Sequence, residues 1–254
     1  MKPFHPQLNL FFNALVFFTR IPAPPGVDYS TQHLTQASRY LPLIGLLVGS
    51  IGALVWLASA ALLPDPLAII FSIAATILLT GAFHEDGLAD SADGFGGGWN
   101  KEQILRIMKD SRIGSYGAIT LMLVLASKYS ALMHIAYPAS VMILAHTLSR
   151  FAAVCLISHD NYVREDETAK VKTLANHIDR KGLIIAAAPV LLTLSLMASI
   201  TAWLVLVPVL LVTLGCSYYF NKRIGGYTGD CLGACQQLTE LTCYLFFCLP
   251  LFIQ

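Results

Sequence analysis

The chain has 254 residues, of which 56% are hydrophobic and only 12% charged, about half the charged fraction of a soluble domain. A formal net charge of +1 and a mean hydropathy of +0.66 exclude a nucleic-acid partner and make the lipid bilayer the surrounding medium. The six cysteines form no CxxC pair and sit mostly in apolar segments, where they read as small fillers of membrane helices. One lysine and no small-residue cleavage site precede Arg20, so no cleaved signal peptide is expected.

The apolar runs come in chain order. Phe4–Thr19 is apolar but short, fit for a span, a re-entrant piece or an interfacial helix. Leu41–Leu63 carries no charge and contains Gly45-x3-Gly49, a spacing that lets helices approach closely in lipid. Leu67–Phe83 follows the breaker Pro64-Asp65-Pro66. Ile113–Ile135 and Pro138–Ser158 come next. Gly182–Phe220 is too long for one crossing and divides near Ser199–Thr201. Gln237–Ile253 closes the set. The expected fold is all-α: a single-domain polytopic membrane bundle over residues 1–254, with about seven apolar segments and no internal repeat.

Thirteen of the sixteen lysines and arginines fall in the polar segments 20–40, 100–112, 159–181 and 221–235. Successive polar segments are separated by two spans, which puts them on one face, and positive charge makes that face cytoplasmic. Such a layout suits a membrane enzyme that works at the cytosolic surface.

Six of the fifteen acidic residues lie between Ala82 and Ala118, four of them within nine positions. Asp86, Asp90 and Asp93 follow an i, i+4, i+7 spacing, one stripe of a helix. Three carboxylates on a stripe repel one another. A hard divalent cation relieves this, and Mg²⁺ suits few carboxylates completed by phosphate and water. Glu85 stands beside them. Gly87 opens room for a ligand or another helix. Gly94, Gly96 and Gly97, with Gly98, are expected to end the helix in a loop able to approach phosphate oxygens. The competing reading is a solvated charged loop. Asn100-x-x-Gln103 has the form of a capping box, opening a short amphipathic helix with Lys101, Arg106 and Lys109 on its polar face. Asp110-Ser111-Arg112 then leads back to the membrane.

Lys128 and Arg150 lie inside apolar segments, where charge is expensive. Arg150 is placed to reach a substrate phosphate or to snorkel to the interface. His146, one turn away, reads as a satisfied buried histidine. His84 abuts the carboxylates and is a partner or proton carrier for them. Arg20, in Phe18-Thr19-Arg20-Ile21-Pro22, ends an apolar run as a ligand contact would. In Gly225–Glu240, Asp230 is either a ligand contact or a helix N-cap, and Gln236 and Glu240 are placed at the mouth of the last helix.

At these residues the sequence resembles the cobalamin synthases, the adenosylcobinamide-GDP ribazoletransferase family. The likeness rests on FFTRIP (Phe17–Pro22), HEDGLADSADGFGGG (His84–Gly98), IMKDSRIGSYG (Ile107–Gly117) and YTGDCLGA (Tyr227–Ala234), in that order and across nearly the whole chain. The resemblance implies a Mg²⁺-dependent, multi-pass enzyme of the bacterial or archaeal inner membrane, its site facing the cytoplasm. It would join adenosylcobinamide-GDP to α-ribazole, or α-ribazole 5′-phosphate, and release GMP. On that footing Glu85, Asp86, Asp90 and Asp93 hold the metal, and Asp93 accepts the hydroxyl proton, with His84 nearby. Lys109, Arg112 or Arg150 steadies phosphate oxygens. Arg20, Gly94, Gly96, Gly97, Asp110, Ser111 and Asp230 contact substrate. A homo-oligomer is left open.

Two other classes compete. A CDP-alcohol phosphotransferase shares an aspartate-glycine motif at a membrane surface, but Asp90 stands where its pattern has an arginine. A divalent-cation or corrinoid transporter would need acidic residues deep in its spans, and Glu240 alone is clearly within one.

Overall fold

The structure, a computed structural model, describes residues 4–28, 34–163, 178–197 and 199–250, and is helical almost throughout them. The helices are α1 (Pro6–Phe18), the short α2 (Leu34–Ala37), α3 (Leu41–Ala60), α4 (Asp65–Thr80), α5 (Phe83–Gly97), α6 (Lys101–Ile107), α7 (Ser115–His134), α8 (Pro138–His159), α9 (Arg180–Leu196), α10 (Leu206–Ile224) and α11 (Gly229–Phe247). Local chemistry sets many of the ends. Proline occupies the first turn of α1, α3, α4 and α8, where its missing N–H is no loss. Asn100, Asp179 and Thr228 cap α6, α9 and α11 with side-chain oxygens. Left-handed glycines, Gly81 and Gly225, stop α4 and α10.

Four stretches are long and apolar enough to cross a membrane: Leu34–Ala60, Ser115–His134, Pro138–His159 and Ile200–Ile224. The pair α4 and α5, bent by 87°, makes a fifth if taken as one broken span. Among the described residues α9, with 17 residues, and α11, which carries Asp230, Gln236, Gln237 and Glu240, fall outside that set. The break expected near Ser199–Thr201 is present as a 3₁₀ turn over Ile200–Val205. The last helix starts eight residues before the expected Gln237. Much of the polar segment 159–181 and the end of the last apolar run lie outside the described residues.

The central helix is α8, with 78% of its apolar window buried against 28% for α7 and for the stretch containing α10. Around it pack α3, α9 and α11. The outer faces carry exposed Leu54, Leu57, Leu123, Leu192, Leu211 and Leu214, a surface that only lipid or a partner covers. The glycine spacing on α3 works as expected. A Cβ on Gly49 would lie 2.8 Å from Ile143 Cα, one on Gly45 would run into the His146 carbonyl, and one on Gly52 would lie 2.7 Å from Thr76 Cγ2. This small-residue face brings the backbones of α3 and α8 together and leaves room beside Gly45 for the Arg150 side chain.

The glycine run after the aspartates does not form the expected loop. Gly94, Gly96 and Gly97 are the last residues of α5, and Gly98 is its C-cap. Packing overrides their weak helix propensity: a Cβ on Gly94 would sit 2.6 Å from Met108 Cγ, and one on Gly96 2.6 Å from the Tyr116 ring. Arg223 secures this end, its Nη2 donating to the Gly98 carbonyl at 2.8 Å. Overpacking a tight crossing costs about 1–3 kcal/mol. Gly49→Ala is therefore expected to lower the thermal unfolding midpoint in detergent. Gly215→Ala, where a Cβ meets nothing within 4 Å, is expected to leave it unchanged or raise it.

Candidate active site

The acidic helix starts at a strained elbow. Gly81 (φ 69°) and Ala82 (φ 59°) are both left-handed, a conformation that is unfavourable for alanine. Arg20 braces this elbow. Its N–H donates to the Leu79 carbonyl at 2.8 Å, and its Nε would lie 2.9 Å from a Cβ on Gly81. The expected ligand-binding arginine is thus placed at the turn between α4 and α5.

From the elbow α5 crosses α11 backbone against backbone. A Cβ on Gly87 would lie 2.9 Å from the Asp230 carbonyl oxygen and 3.2 Å from Gly233 Cα, and one on Gly233 would lie 3.0 Å from the His84 carbonyl oxygen. Of the two uses foreseen for Gly87, the structure takes the second: another helix. Asp230 lies half-buried in the first turn of α11, and the N-cap role falls to Thr228, whose Oγ1 accepts from Cys231 N at 3.2 Å.

The four acidic side chains do not act as one group. Asp86 is exposed and Asp90 half-buried, on successive turns of one face. Glu85 is buried, and its Oε1 accepts from Gln237 Nε2 at 3.0 Å. Asp93 is buried, and its two oxygens accept from Gly114 N at 2.7 Å and Gly117 N at 2.9 Å. Gly114 is the N-cap of α7 and has no side chain to cap with. Asp93 therefore supplies from another helix both bonds of a capping box. A Cβ on either glycine would collide with its carboxylate. Among the described residues no three His, Cys, Asp or Glu side chains are gathered closely enough to hold a metal ion. The expected set of Glu85, Asp86, Asp90 and Asp93 is therefore not brought together: only Asp86 and Asp90 stay on one face, one turn apart. Glu85 faces the bundle and Asp93 is committed to α7, which counts against Asp93 as proton acceptor.

The basic candidates separate likewise. Lys109 is exposed after α6, and Ser111 is exposed beside it. Arg112 forms a two-pronged pair with Asp110, Nε to Oδ1 at 3.0 Å and Nη2 to Oδ2 at 2.7 Å. That pairing holds the Asp110 carboxyl down at about 2 and raises the Arg112 guanidinium. Arg150, expected to reach a phosphate, is only 1% exposed. Its Nη1 lies 3.1 Å from His146 Nδ1 and 3.0 Å from the His146 carbonyl oxygen. Nδ1 thus accepts, and the ring carries its proton on Nε2. His84 is buried at the α5–α11 crossing. Gln236 and Glu240, placed by sequence at a helix mouth, are buried well inside α11.

The unforeseen feature is a buried polar set in the bundle. Lys128 Nζ lies 2.7 Å from Glu240 Oε1 and 2.7 Å from Gln237 Oε1. Gln236 Nε2 donates to Glu240 Oε2 at 2.7 Å and to Ser149 Oγ at 2.9 Å. A cavity of about 20 Å³ is lined by Glu85, Lys128, His146 and Glu240, with Ser72 and Thr76. The sequence signal was available: one lysine and one acid at span depth must find each other.

This architecture, an all-helical bundle with several helices apolar and long enough to cross a membrane and an aspartate pair on the helix that follows the α4–α5 elbow, defines a polytopic membrane protein with a polar site at its surface. A family model described as cobalamin-5-phosphate synthase matches residues 10–248, and the chain belongs to that family. Relatives named adenosylcobinamide-GDP ribazoletransferase include those of Shewanella frigidimarina, 48% identical over 94% of both chains, and Shewanella piezotolerans, 47% identical over 96% of both. That of Shewanella oneidensis is 46% identical over 96% of this chain and 95% of its own. The protein is an enzyme of the transferase class. No solved structure matches it.

Two outcomes follow from the geometry. Asp93→Asn keeps one acceptor and turns an NH₂ toward an amide of α7. Losing such a bond costs about 1–3 kcal/mol, so the unfolding midpoint is expected to fall; an unchanged midpoint would disprove the cap. The Asp110 carboxyl, followed by ¹³C NMR, is expected to titrate at about 2 and to move part of the way up toward about 3.9 in Arg112→Ala, which removes the side-chain bonds but keeps the backbone N–H of residue 112 on Oδ1. Its pair with Arg112 is thus present above the ordinary carboxylate range and is lost only as pH falls through the lowered value.

Proposed function

We propose that the protein transfers the cobinamide phosphate of adenosylcobinamide-GDP to the ribose hydroxyl of α-ribazole or α-ribazole 5′-phosphate, releasing GMP. The observation that carries this reading is the pair Asp86 and Asp90 on one face of α5, a helix fixed by the Gly87–Gly233 crossing. The names of the relatives point to the same substrate.

The donor set fits a hard divalent cation: two carboxylates one turn apart, Asp86 exposed and Asp90 half-buried, few enough for a Mg²⁺ that keeps water and phosphate oxygens. Asp86 and Asp90 would hold it. When bound, Mg²⁺ supplies charge to the diphosphate and the departing GMP oxygen. The other steps belong to side chains of the chain. The carboxylate of Asp90, half-buried, would hold the metal with one oxygen and with the other orient the attacking ribose hydroxyl and accept its proton. Lys109 and Arg112, on the exposed segment after α6, bring positive charge to phosphate oxygens. The fork with Asp110 limits the freedom of Arg112 and so presents it at lower entropic cost. Arg150 is left out of this scheme, since it is buried in the bundle.

We place the protein in a bacterial or archaeal inner membrane with this site at the cytoplasmic face, in a seven-segment arrangement. The support is that Arg223, in the last turn of α10, meets the end of α5, which α6 with Lys101 and Arg106 follows, so two basic segments share one side.

The deciding experiment incubates purified protein in liposomes with adenosylcobinamide-GDP and α-ribazole, with and without Mg²⁺, and measures GMP and cobalamin. Formation of both only with Mg²⁺ is expected. Asp90→Asn is expected to lose at least about a hundredfold in rate while staying folded. Product formation at wild-type rate by that variant would refute the carboxylate assignment.

A further inference from the structure

The crossing of α5 over α11 leaves one mechanical question open. Gly87 against Gly233 fixes how near the two helices come. Asp93 and Arg223 anchor the far end of α5, but backbone against backbone gives little interlock against twisting of its first turns, where Asp86 and Asp90 lie. Side chains on the outer face swing on a radius of about 5–6 Å, so a turn of about 10° moves an aspartate carboxylate by about 1 Å. A misplacement of that size can cost about a hundredfold in rate.

One side chain in the first turn of α5 reaches a fixed partner. Glu85 accepts from Gln237 Nε2 at 3.0 Å. The Gln237 amide cannot turn over, because its oxygen accepts from the Lys128 ammonium at 2.7 Å, and an ammonium only donates. Lys128 is in turn held at 2.7 Å by Glu240 Oε1. Gln236 ties Glu240 to Ser149 on α8 and accepts a second bond from Gln237 at 2.9 Å. The amides of Gln236 and Gln237 thus have their donor and acceptor sense dictated by neighbours, and the last of them meets Glu85 through Oε1, the other oxygen having no hydrogen-bond partner. The chain starts in the central helix and ends one residue before Asp86.

We propose that Glu85 and Gln237 are positioning residues: through the Lys128–Glu240 pair they set the rotation of the first turns of α5 that presents Asp86 and Asp90. Glu85 does this as a hydrogen-bond acceptor, not as a metal ligand or base. This rests on the reading of Asp86 and Asp90 as the reactive pair.

The test uses Glu85→Ala, Glu85→Gln, Gln237→Glu and the exchange Glu85→Gln/Gln237→Glu in detergent-purified protein. The readouts are kcat for GMP release, the Mn²⁺ dissociation constant measured by EPR without substrate, and the unfolding midpoint. Gln237→Glu confronts Glu85 with a second carboxylate. It is expected to lower kcat at least about tenfold and to weaken Mn²⁺ binding, as is Glu85→Ala. Glu85→Gln still accepts from Gln237 and is expected to keep most of both. The exchange lets an amide at position 85 donate to a carboxylate at 237 that still accepts from Lys128, but it gives up the bond from position 237 to Gln236 Oε1, so both readouts are expected to recover part of the way, clearly above Gln237→Glu alone.

Three results would overturn the proposal. In one, Glu85→Gln falls as far as Glu85→Ala and the exchange fails to recover, so that the Glu85 charge itself is used. In another, Glu85→Ala keeps full kcat and Mn²⁺ affinity. In the third, only the unfolding midpoint moves while folded protein keeps both. If Glu85→Ala does not fold, the single change at Gln237 and the exchange decide. If wild-type protein binds Mn²⁺ but releases no GMP, the transfer reading fails, and the Mn²⁺ series still decides the proposal.

Discussion

Charge carried into an apolar bundle has to be cancelled there, and the Lys128–Glu240 contact is where this chain does it. Both groups are almost fully enclosed, and in such surroundings an unpaired ion would be prohibitive. The pair joins α7 to α11. The glutamines on α11 extend it to α8 and α5. Four helices that would otherwise slide on one another through apolar surfaces therefore share a directional contact. Replacing such a pair with apolar side chains is often no loss in stability, so its value lies in registering the helices that carry the surface site.

Much of this was readable from the sequence. The apolar runs located the helices, the Gly45-x3-Gly49 spacing identified the face of α3 that meets α8, and the Asn100–Gln103 pattern marked the start of α6. There Asn100 Oδ1 accepts from Gln103 N at 3.0 Å, while Gln103 reaches back to Trp99 N and not to the cap residue itself. The aspartate stripe was correctly placed on a helix. Its division was not legible, because periodicity gives the face of a residue and not what stands opposite. Asp93 shares the stripe with Asp86 and Asp90, yet the uncapped start of α7 lies against it. The clue was in Gly114-Ser115-Tyr116-Gly117, whose cap and third positions have no side chain with which to close a capping box.

The glycine run misled for a related reason. Glycine weakens an isolated helix by about 1 kcal/mol per residue, and four glycines within five positions read as a loop. Burial reversed the balance. With no Cβ, the end of α5 accepts Met108, Ile104 and the Tyr116 ring at distances no other residue allows. Arg150 shows the converse limit. A cation a few turns inside a span could snorkel outward or stay, and only the packing of Gly45 beside its side chain and of His146 one turn earlier determines that it stays.

Because the first turn of α7 is closed by a residue of α5, these two helices are not separable pieces. Any ligand that drew the Asp93 carboxylate toward itself would open two amides at the head of a membrane-crossing helix, and would meet the resistance of that whole helix in doing so. Conversely, a disturbance that tilts α7 within the bilayer is delivered directly to the acidic stripe. Two routes carry it, the Asp93 cap on the head of α7 and the bonds from Lys128 through Gln237 to Glu85, so the two ends of the stripe are tied to the same helix at different depths.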